Sequence, residues 1–530
     1  MTSRSRWTLV ATILGSSLTF IDGTVVNVAL PALQADLHAT IVQVQWVVEA
    51  YALFLGALIL VGGSMGDQFG RRRVFLLGVV CFTIASVLCG FASSPAMLIA
   101  GRAVQGIGAA FLVPGSLAII SDAFDGAERG RAIGTWSGFT SITTAIGPVT
   151  GGWLIDHVSW RAVFFLNVPL ALIVLLLSWR FVKESRDPSR TTQIDWIGSA
   201  LAVLGLGGVV FGLLEWPSLG IRHPLVLGSL TAGAGSLVAL LLVEQRIRNP
   251  MLPLTLFGSR PFALANVLTL LLYAALGVVM FLVPLNLIQV QHYRATAAGA
   301  ALLPFPLIMF ALSRWSGSLV ARIGSRLPLT IGPAVAALGI ALYAWPGIGG
   351  TYWTTFFPAV VVLALGMAVT VAPLTTTVMG AVDAHHAGAA SGINNAVSRV
   401  AGLMAVAVFG LVLAKSFDAR VGRRLDQLAL SAPARQEVDR ELDKMAGADL
   451  TQVASLPDPE RRRAQAIIDE GFVFAFRLVV IGAAALALAA AGVGNQIRRD
   501  PDVRENTVRR KPDTTETEKS TTRPKQEGSG

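Results

Sequence analysis

The chain alternates between long apolar runs and short polar segments. Fourteen runs have about the 20 residues that an α-helix needs to cross the hydrocarbon core of a bilayer. They are, in order, 7–30, 44–63, 74–93, 96–120, 131–155, 161–182, 196–215, 224–243, 261–290, 297–320, 327–347, 353–377, 388–414 and 471–494. The pattern therefore predicts an all-α polytopic membrane protein with fourteen transmembrane helices.

Composition agrees with a membrane location and excludes a soluble fold. Of the 530 residues, 53% are hydrophobic and only 14% are charged, whereas a soluble domain is about one quarter charged. So few charges cannot cover a water-exposed surface. The two cysteines, Cys81 and Cys89, share one apolar run without the spacing of a metal or redox site, so we expect no metal.

Basic residues are concentrated on one side of the predicted membrane. With the N-terminus inside, the inner segments hold about sixteen Arg and Lys residues and the short outer loops about three. This bias places both termini in the cytoplasm. It also explains the net charge of +10, so we expect contacts with membrane lipid and none with nucleic acid.

The pattern divides the chain into four regions. Residues 1–182 are predicted to form one six-helix bundle and residues 261–496 a second, with two inserted helices and their linkers at 183–260. Similar glycine and arginine positions after spans 2 and 10 indicate duplicated halves, a common design of secondary transporters. Residues 415–470 are predicted as a long outer loop with short amphipathic helices, and residues 497–530 as a disordered cytoplasmic tail.

Two acids and one base lie away from the ends of spans in the first bundle: Asp22, Glu49 and Arg102. Because charge is costly inside a bilayer, such residues usually face a cavity or a partner. A desolvated carboxyl can bind and release a proton near neutral pH, which makes Asp22 the candidate proton carrier. The alternative is a structural acid paired with a neighbouring polar group.

The other two have alternatives as well. Glu49 either binds substrate or a proton, or sits solvated and inert at the outer mouth of span 2. Arg102 either acts on the proton site or hydrogen-bonds the backbone of span 1.

Several motifs resemble those of the major facilitator superfamily. Residues 63–73 read GSMGDQFGRRR and are similar to the signature loop of that superfamily, and residues 102–110, RAVQGIGAA, resemble its second signature. Residues 147–152, GPVTGG, resemble the signature of its proton-driven antiporters.

Three further motifs narrow the resemblance. They are DGTVVNVALP at 22–31, WRAVFFLNVP at 160–169 and ASGINN at 390–395. Together with fourteen spans they resemble the fourteen-helix drug:proton antiporter family, over about residues 7–495. An acid such as Glu49 is a departure, because that family more often has a small or neutral residue there.

The resemblance implies a fold and a function. We expect two six-helix bundles around a central cavity, plus two inserted helices, in a bacterial-type cytoplasmic membrane. The implied function is export of amphipathic small molecules or drugs by alternating access, coupled to protons, with no other cofactor, no enzymatic activity and a monomeric state. No Walker A loop is found, so ATP is not the expected energy source. The alternatives are an exporter of one metabolite or lipid-like molecule, and a non-transporting receptor or scaffold.

The expected site residues fall into four groups. Proton coupling is assigned to Asp22, Arg102 and Glu49. The inner gate comprises Gly63, Asp67, Gly70, Arg71 and Asp122, with the Asp67 carboxylate capping the inner start of span 13. The antiporter motif comprises Gly147, Pro148, Gly151 and Gly152, either as a tight seam that prevents leak or as ordinary helix packing. The predicted substrate cavity comprises Asn27, Trp46, Arg314, Asn394, Asn395 and Arg399.

The predicted cavity also suggests a charge preference. Spans 9–13 contain no Asp or Glu, so a second positive charge on a substrate would have no counter-charge in that half. We therefore expect neutral or singly cationic amphiphiles over rigid dications, with an anionic substrate as the alternative.

Overall fold

A computed structural model describes most of the chain. The described residues are 3–124, 126–186, 195–247, 250, 252–317, 319–382, 387–428, 430–453 and 456–497. Within these ranges the regular structure is helical and no strand occurs. The all-α prediction is confirmed for this part of the chain, and the predicted tail beyond residue 497 lies outside it.

Helices of the first half and the insertion follow the predicted spans closely. They are α1 (Ser3–Asp36), α2 (Ile41–Phe69), α3 (Arg71–Gly90), α4 (Pro95–Ala123), α5 (Gly126–His157), α6 (Ala162–Phe165), α7 (Asn167–Phe181), α8 (Trp196–Leu219) and α9 (Pro224–Glu244). Local signals set several ends. Thr40 and Gln43 form a capping box before α2, and Gly70 ends α2 with a φ of 115° that glycine tolerates. Contrary to the prediction, α1 continues past Pro31 to Asp36.

The second half is more interrupted. Its helices are α10 (Arg260–Leu285), α11 (Ala295–Ala301), α12 (Pro304–Gly317), α13 (Leu319–Ile323), α14 (Arg326–Leu342), α15 (Tyr352–Gly380), α16 (Ala387–Leu425), α17 (Ala432–Leu442) and α18 (Asp458–Gln496). A π-helical turn, Asn286–Val290, extends α10. The predicted single span 297–320 is thus interrupted between α11 and α12, with Pro304 at the start of α12, where its missing N–H is not needed.

The number of crossings stays a prediction. Twelve described segments are long and apolar enough to cross a bilayer. In addition α14 has 17 residues and the more polar α5 has 32. A helix or run of helices therefore lies at each of the fourteen predicted positions.

The two halves repeat the same helix packing. In the first half α1 contacts α5 and α7, while α4 contacts α2 and α3. In the second half α10 contacts α16 and α18, while α15 contacts α12 and α14. This is the pattern expected of duplicated halves.

Two seams join the halves. At one seam α5 packs against α11 and α12, and at the other α2 packs against α16. The inserted helix α8 contacts both α2 and α16, so the insertion lies along the second seam.

The predicted outer loop 415–470 is largely helical. α16 continues to Leu425 and α18 begins at Asp458, because apolar side chains there, such as Phe417, Val421 and Ile468, are buried. Between them α17 supplies a short helix of the kind expected.

This outer segment also touches both halves. The backbone oxygen of Asp443 accepts from the amide of Ile41 at 2.9 Å, and Gln34 donates to the oxygen of Lys444 at 3.2 Å. Gln289, after α10, donates to Gln34 at 2.7 Å. The segment therefore contacts α1 and α2 directly, and Gln34 connects it to the α10 extension, all at the predicted outer side.

Candidate functional site

A buried ion pair lies at the centre of the first half. Asp22 on α1 is 0% exposed and Arg102 on α4 is 1% exposed, and Arg102 Nη1 donates to Asp22 Oδ2. Arg102 Nε also donates to the Val47 carbonyl of α2 at 3.1 Å. Removing two charges from water costs several kcal/mol per ion unless further hydrogen bonds compensate. The surrounding polar groups supply them.

Three side chains that sequence reasoning left out of the site complete this network. Gln105 accepts from Arg102 Nη1 at 2.7 Å and donates to Asp22 Oδ1 at 2.8 Å. Asn167 on α7 donates to Asp22 Oδ1 at 3.4 Å and to the Ser86 hydroxyl of α3 at 2.9 Å. Gln105 and Asn167 lie within the quoted motifs, whereas nothing marks Ser86 in its apolar run.

Tyr51 links the ion pair to the second half. The Arg102 guanidinium carbon lies 4.2 Å from the centroid of the Tyr51 ring, an arrangement for cation–π attraction. Arg399 of α16 lies close enough to Tyr51 for electrostatic interaction. A Cβ placed on Gly56 would be 3.5 Å from the Arg399 Cβ. A change at Asp22 therefore has a short physical route to the seam between the halves.

Glu49 is buried apart from this network. It is 1% exposed, and its Oε2 atom is buried without a hydrogen-bond partner. It lies two residues from both Val47 and Tyr51, so a helical turn of about 100° per residue places it on the opposite face of α2. The structure thus does not bring Glu49 to Asp22, nor does it leave Glu49 solvated.

The glycines of the antiporter motif allow very close helix contacts. A Cβ at Gly147 would lie 2.4 Å from Thr24 Oγ1, and one at Gly151 would lie 2.0 Å from Val25 Cγ2, both on α1. A Cβ at Gly152 would lie 2.4 Å from the Ala295 carbonyl oxygen at the start of α11. The motif therefore packs α5 against α1 of the first half on one side and against α11 of the second half on the other side.

Pro148 is part of the same contact. A Cβ at Gly299 of α11 would lie 2.1 Å from the Pro148 carbonyl oxygen. Small residues on both helices are required for this approach.

Asp156, an acid at the predicted outer end of α5, joins the two sides of this seam and was not among the predicted site residues. Its carboxylate accepts from the backbone amides of Ala295 and Thr296 at 3.1 and 2.9 Å and from the Thr296 hydroxyl at 2.5 Å. It therefore caps α11 from across the seam. Burial raises the pKa of this carboxyl, but these hydrogen bonds outweigh burial, so the pKa lies below its ordinary value of 3.8.

The inner-gate residues form an ionic cluster. Arg71 pairs with Asp67 at 2.9 Å and with Asp122 of α4 at 3.5 Å. The Cβ position of Gly63 lies 3.6 Å from Pro114 of α4. The expected cap by Asp67 concerns the start of span 13, where residues 383–386 lie outside the described chain.

Another unpredicted acid, Glu184, supports the same turn. It accepts from the backbone amide of Arg72 at 3.1 Å and lies 3.6 Å from Nε of Arg73. A carboxylate is favoured there because the first turn of a helix presents unsatisfied amides. A Cβ on Gly70 would lie 2.6 Å from its Oε1.

Predicted cavity residues are dispersed. Asn394 donates to Asn266 at 3.1 Å and to Thr269 at 2.7 Å, both on α10, whereas Asn395 is exposed. Trp46 packs on Phe211 of α8 with ring centroids 6.2 Å apart. Asn27 is partly exposed on α1. The side chain of Arg314 lies outside the described part of the chain.

Known proteins resemble this chain over most of its length. A sequence model of the family described as Major Facilitator Superfamily matches residues 12–406. The Multidrug resistance protein Stp of Mycobacterium tuberculosis is 34% identical over 487 residues, 90% of this chain and 89% of that protein. The Tetracenomycin C resistance and export protein of Streptomyces glaucescens is 30% identical over 502 residues, 94% and 92% of the two chains.

A solved structure shares the fold. A bacterial homolog of the human lysosomal transporter Spinster, in an inward-facing and unoccupied conformation, aligns with a TM-score of 0.66 and 17% sequence identity. The alignment covers 94% of this chain and 100% of that one. At this identity the likeness concerns the fold alone, and it confirms the predicted fold class.

Proposed function

The chain belongs to the major facilitator superfamily, and we propose that it exports amphipathic small molecules, drugs among them, in exchange for protons by alternating access. The observation that carries this proposal is the fully buried Asp22–Arg102 ion pair. A scaffold gains nothing from such a pair, since apolar residues of similar volume stabilise a fold as well or better. The named relatives, a multidrug resistance protein and an antibiotic resistance and export protein, support export of such compounds.

The proposed coupling follows from the hydrogen bonds of Asp22. A proton arriving from outside neutralises the carboxylate and removes the counter-charge of Arg102. The guanidinium then needs other acceptors, because an unpaired charge in this environment is costly. α4 is thereby driven to shift against α1, and substrate is released outward.

Loss of the proton toward the cytoplasm restores the pair and resets the transporter. In this scheme Gln105 and Asn167 hold the Asp22 carboxylate in place between the two states. The close packing of α5 on α1 and α11 at the glycines of the motif supports exchange rather than leak.

We further propose a location and assembly. The protein would lie in the cytoplasmic membrane with both termini in the cytoplasm, as the distribution of basic residues predicts. It would work as a monomer, with protons as the coupling ion and no other cofactor.

Proton flux in everted membrane vesicles tests the proposal. Addition of a transported amphiphile to vesicles carrying a pH gradient should release protons from wild-type vesicles, and Asp22→Asn should abolish this release at equal membrane abundance. Asp36→Asn is the matched control, because Asp36 lies on the same helix at the outer end and pairs with Arg161. Full coupled efflux by Asp22→Asn would remove Asp22 from the mechanism.

A further inference from the structure

Glu49 belongs to a stripe of α2 that faces the second half of the protein. On this stripe, a Cβ at Gly410 of α16 would lie 2.2 Å from Nε2 of Gln45, and one at Gly392 would lie 3.0 Å from Leu60. Gly56 of the same stripe faces Arg399. Residues 45, 49, 56 and 60 fall on one side of a helix. Glu49 therefore lies in the seam between α2 and α16.

The inserted helix α8 closes this seam on its other side. Trp46, three residues before Glu49, packs on Phe211, and a Cβ at Gly207 would lie 3.3 Å from Leu53. Leu53 belongs to an apolar cluster with Val210 of α8 and with residues of α16. Glu49 thus lies where the first half, the second half and the insertion meet.

No charge offsets this acid at its own level. Residues 196–214 of α8 and 400–414 of α16 contain no charged side chain. Arg399 faces Gly56, seven residues from Glu49, which is about 10 Å along the helix. A buried carboxyl without a partner is costly, and a leucine or glutamine would serve the packing better. The geometry is that of a group whose partner arrives from outside the protein.

We propose that Glu49 recognises the positive charge of singly cationic amphiphilic substrates, and that it becomes accessible when α2 separates from α16. This inference rests on the proposed export function, in which the halves must part. The Trp46 ring, less than one turn away, offers a face for a cation and an apolar surface for the rest of the molecule. Arg399 in the same seam repels a second positive charge.

Neutral substrates do not need this acid, and that difference makes the test specific. The probes are a quaternary ammonium amphiphile and its uncharged isostere, in which carbon replaces nitrogen. Equilibrium binding to purified protein and efflux from everted vesicles are measured for wild type, Glu49→Gln, Glu49→Asp and the control Gln45→Ala, which alters the same stripe without changing charge.

Glu49→Gln should weaken binding of the cation at least about tenfold and change binding of the isostere less than about twofold, while isostere-driven proton release persists. Glu49→Asp should recover most of the cation affinity. Equal losses for both probes, or no loss for the cation, would overturn the proposal. Failure of the proposed function looks different, since wild type would then release no protons with either probe.

Discussion

Removal of the Asp156 carboxylate should open the outer end of the seam between α5 and α11. The carboxylate caps α11 through two backbone amides and the Thr296 hydroxyl. Loss of an N-cap costs about 0.5–2 kcal/mol, and loss of a charge at a helix N-terminus costs about 0.3–1 kcal/mol. Asp156 lies at the exposed end of α5, so we expect about 1–2 kcal/mol for Asp156→Ala, a roughly fivefold to thirtyfold change in the closed-to-open ratio.

The opening can be measured as a distance between spin labels on the outer side. Val158 and Trp345 are suitable positions, because they are 65% and 80% exposed and lie in different halves. The native cysteines, Cys81 and Cys89, are replaced first. Asp156→Ala should shift the distance distribution toward longer values.

Asp36→Ala is the matched control for this experiment. Asp36 is also an outer acid, but its partners Arg161 and Trp160 belong to the same half. Its loss should leave the distance between the halves unchanged. An equal shift in both variants, or no shift in Asp156→Ala, would refute the role of Asp156 as a fastener between halves.

The pH dependence has a definite sign. The pKa of Asp156 is below its ordinary value of 3.8 in the closed state, so the contribution of Asp156 is complete above that value and is lost only as the pH falls through the lower pKa. Between about pH 5 and pH 8 the contribution should be constant. A closed population that changes in this range in wild type but not in Asp156→Ala would contradict the assignment.

Three further predictions test other parts of the structure. Gly299→Leu should abolish transport, because a Cβ at this position would lie 2.1 Å from the Pro148 carbonyl oxygen. The control Gly228→Leu on α9 should have no effect, because nothing lies within 4 Å of a Cβ there. Both are checked by efflux measured at equal membrane abundance. Arg71→Ala should break both ion pairs of the inner cluster and raise thiol labelling of the cavity from the cytoplasmic side. Unchanged labelling with normal turnover would mean that the positive charge of this loop only sets the orientation in the membrane. Truncation after residue 497 should leave efflux intact, since the removed tail has few apolar residues to pack. A large loss of efflux at equal membrane abundance would refute this.

The fold and family were predictable because they depend on features that a linear sequence carries. Span length, basic loops and the glycine motifs at 63–73 and 147–152 each reflect a local requirement, and the family match confirms what they indicated. The break of span 10 between α11 and α12 was missed, because interruptions inside a bundle are satisfied by neighbouring helices that the sequence does not identify.

The arrangement of the site was less predictable for a related reason. A transmembrane helix is apolar on all sides, so hydrophobic periodicity does not reveal which face a polar residue occupies. Asp22 and Glu49 looked alike as intramembrane acids, yet one is held by Arg102 and Gln105 while the other lies on the far side of α2. Asp156 and Glu184 lie outside the predicted spans, and nothing in the sequence marks them, because their role depends on helix ends distant in sequence.

The two halves divide the chemistry unequally. The first half concentrates its ionisable groups, with Asp22 and Arg102 enclosed in a network of hydrogen bonds. The second half offers amides and a hydroxyl, where Asn394 bonds to Asn266 and Thr269. It also offers Arg399, which lies close enough to Tyr51 for electrostatic interaction. We infer that the first half handles the proton and that the second half senses its state through the electrostatic interaction of Arg399 with Tyr51. Because Arg399 also faces Gly56 in the seam that holds Glu49, proton binding at Asp22 and cation binding at Glu49 would act on one movement, the separation of α2 from α16.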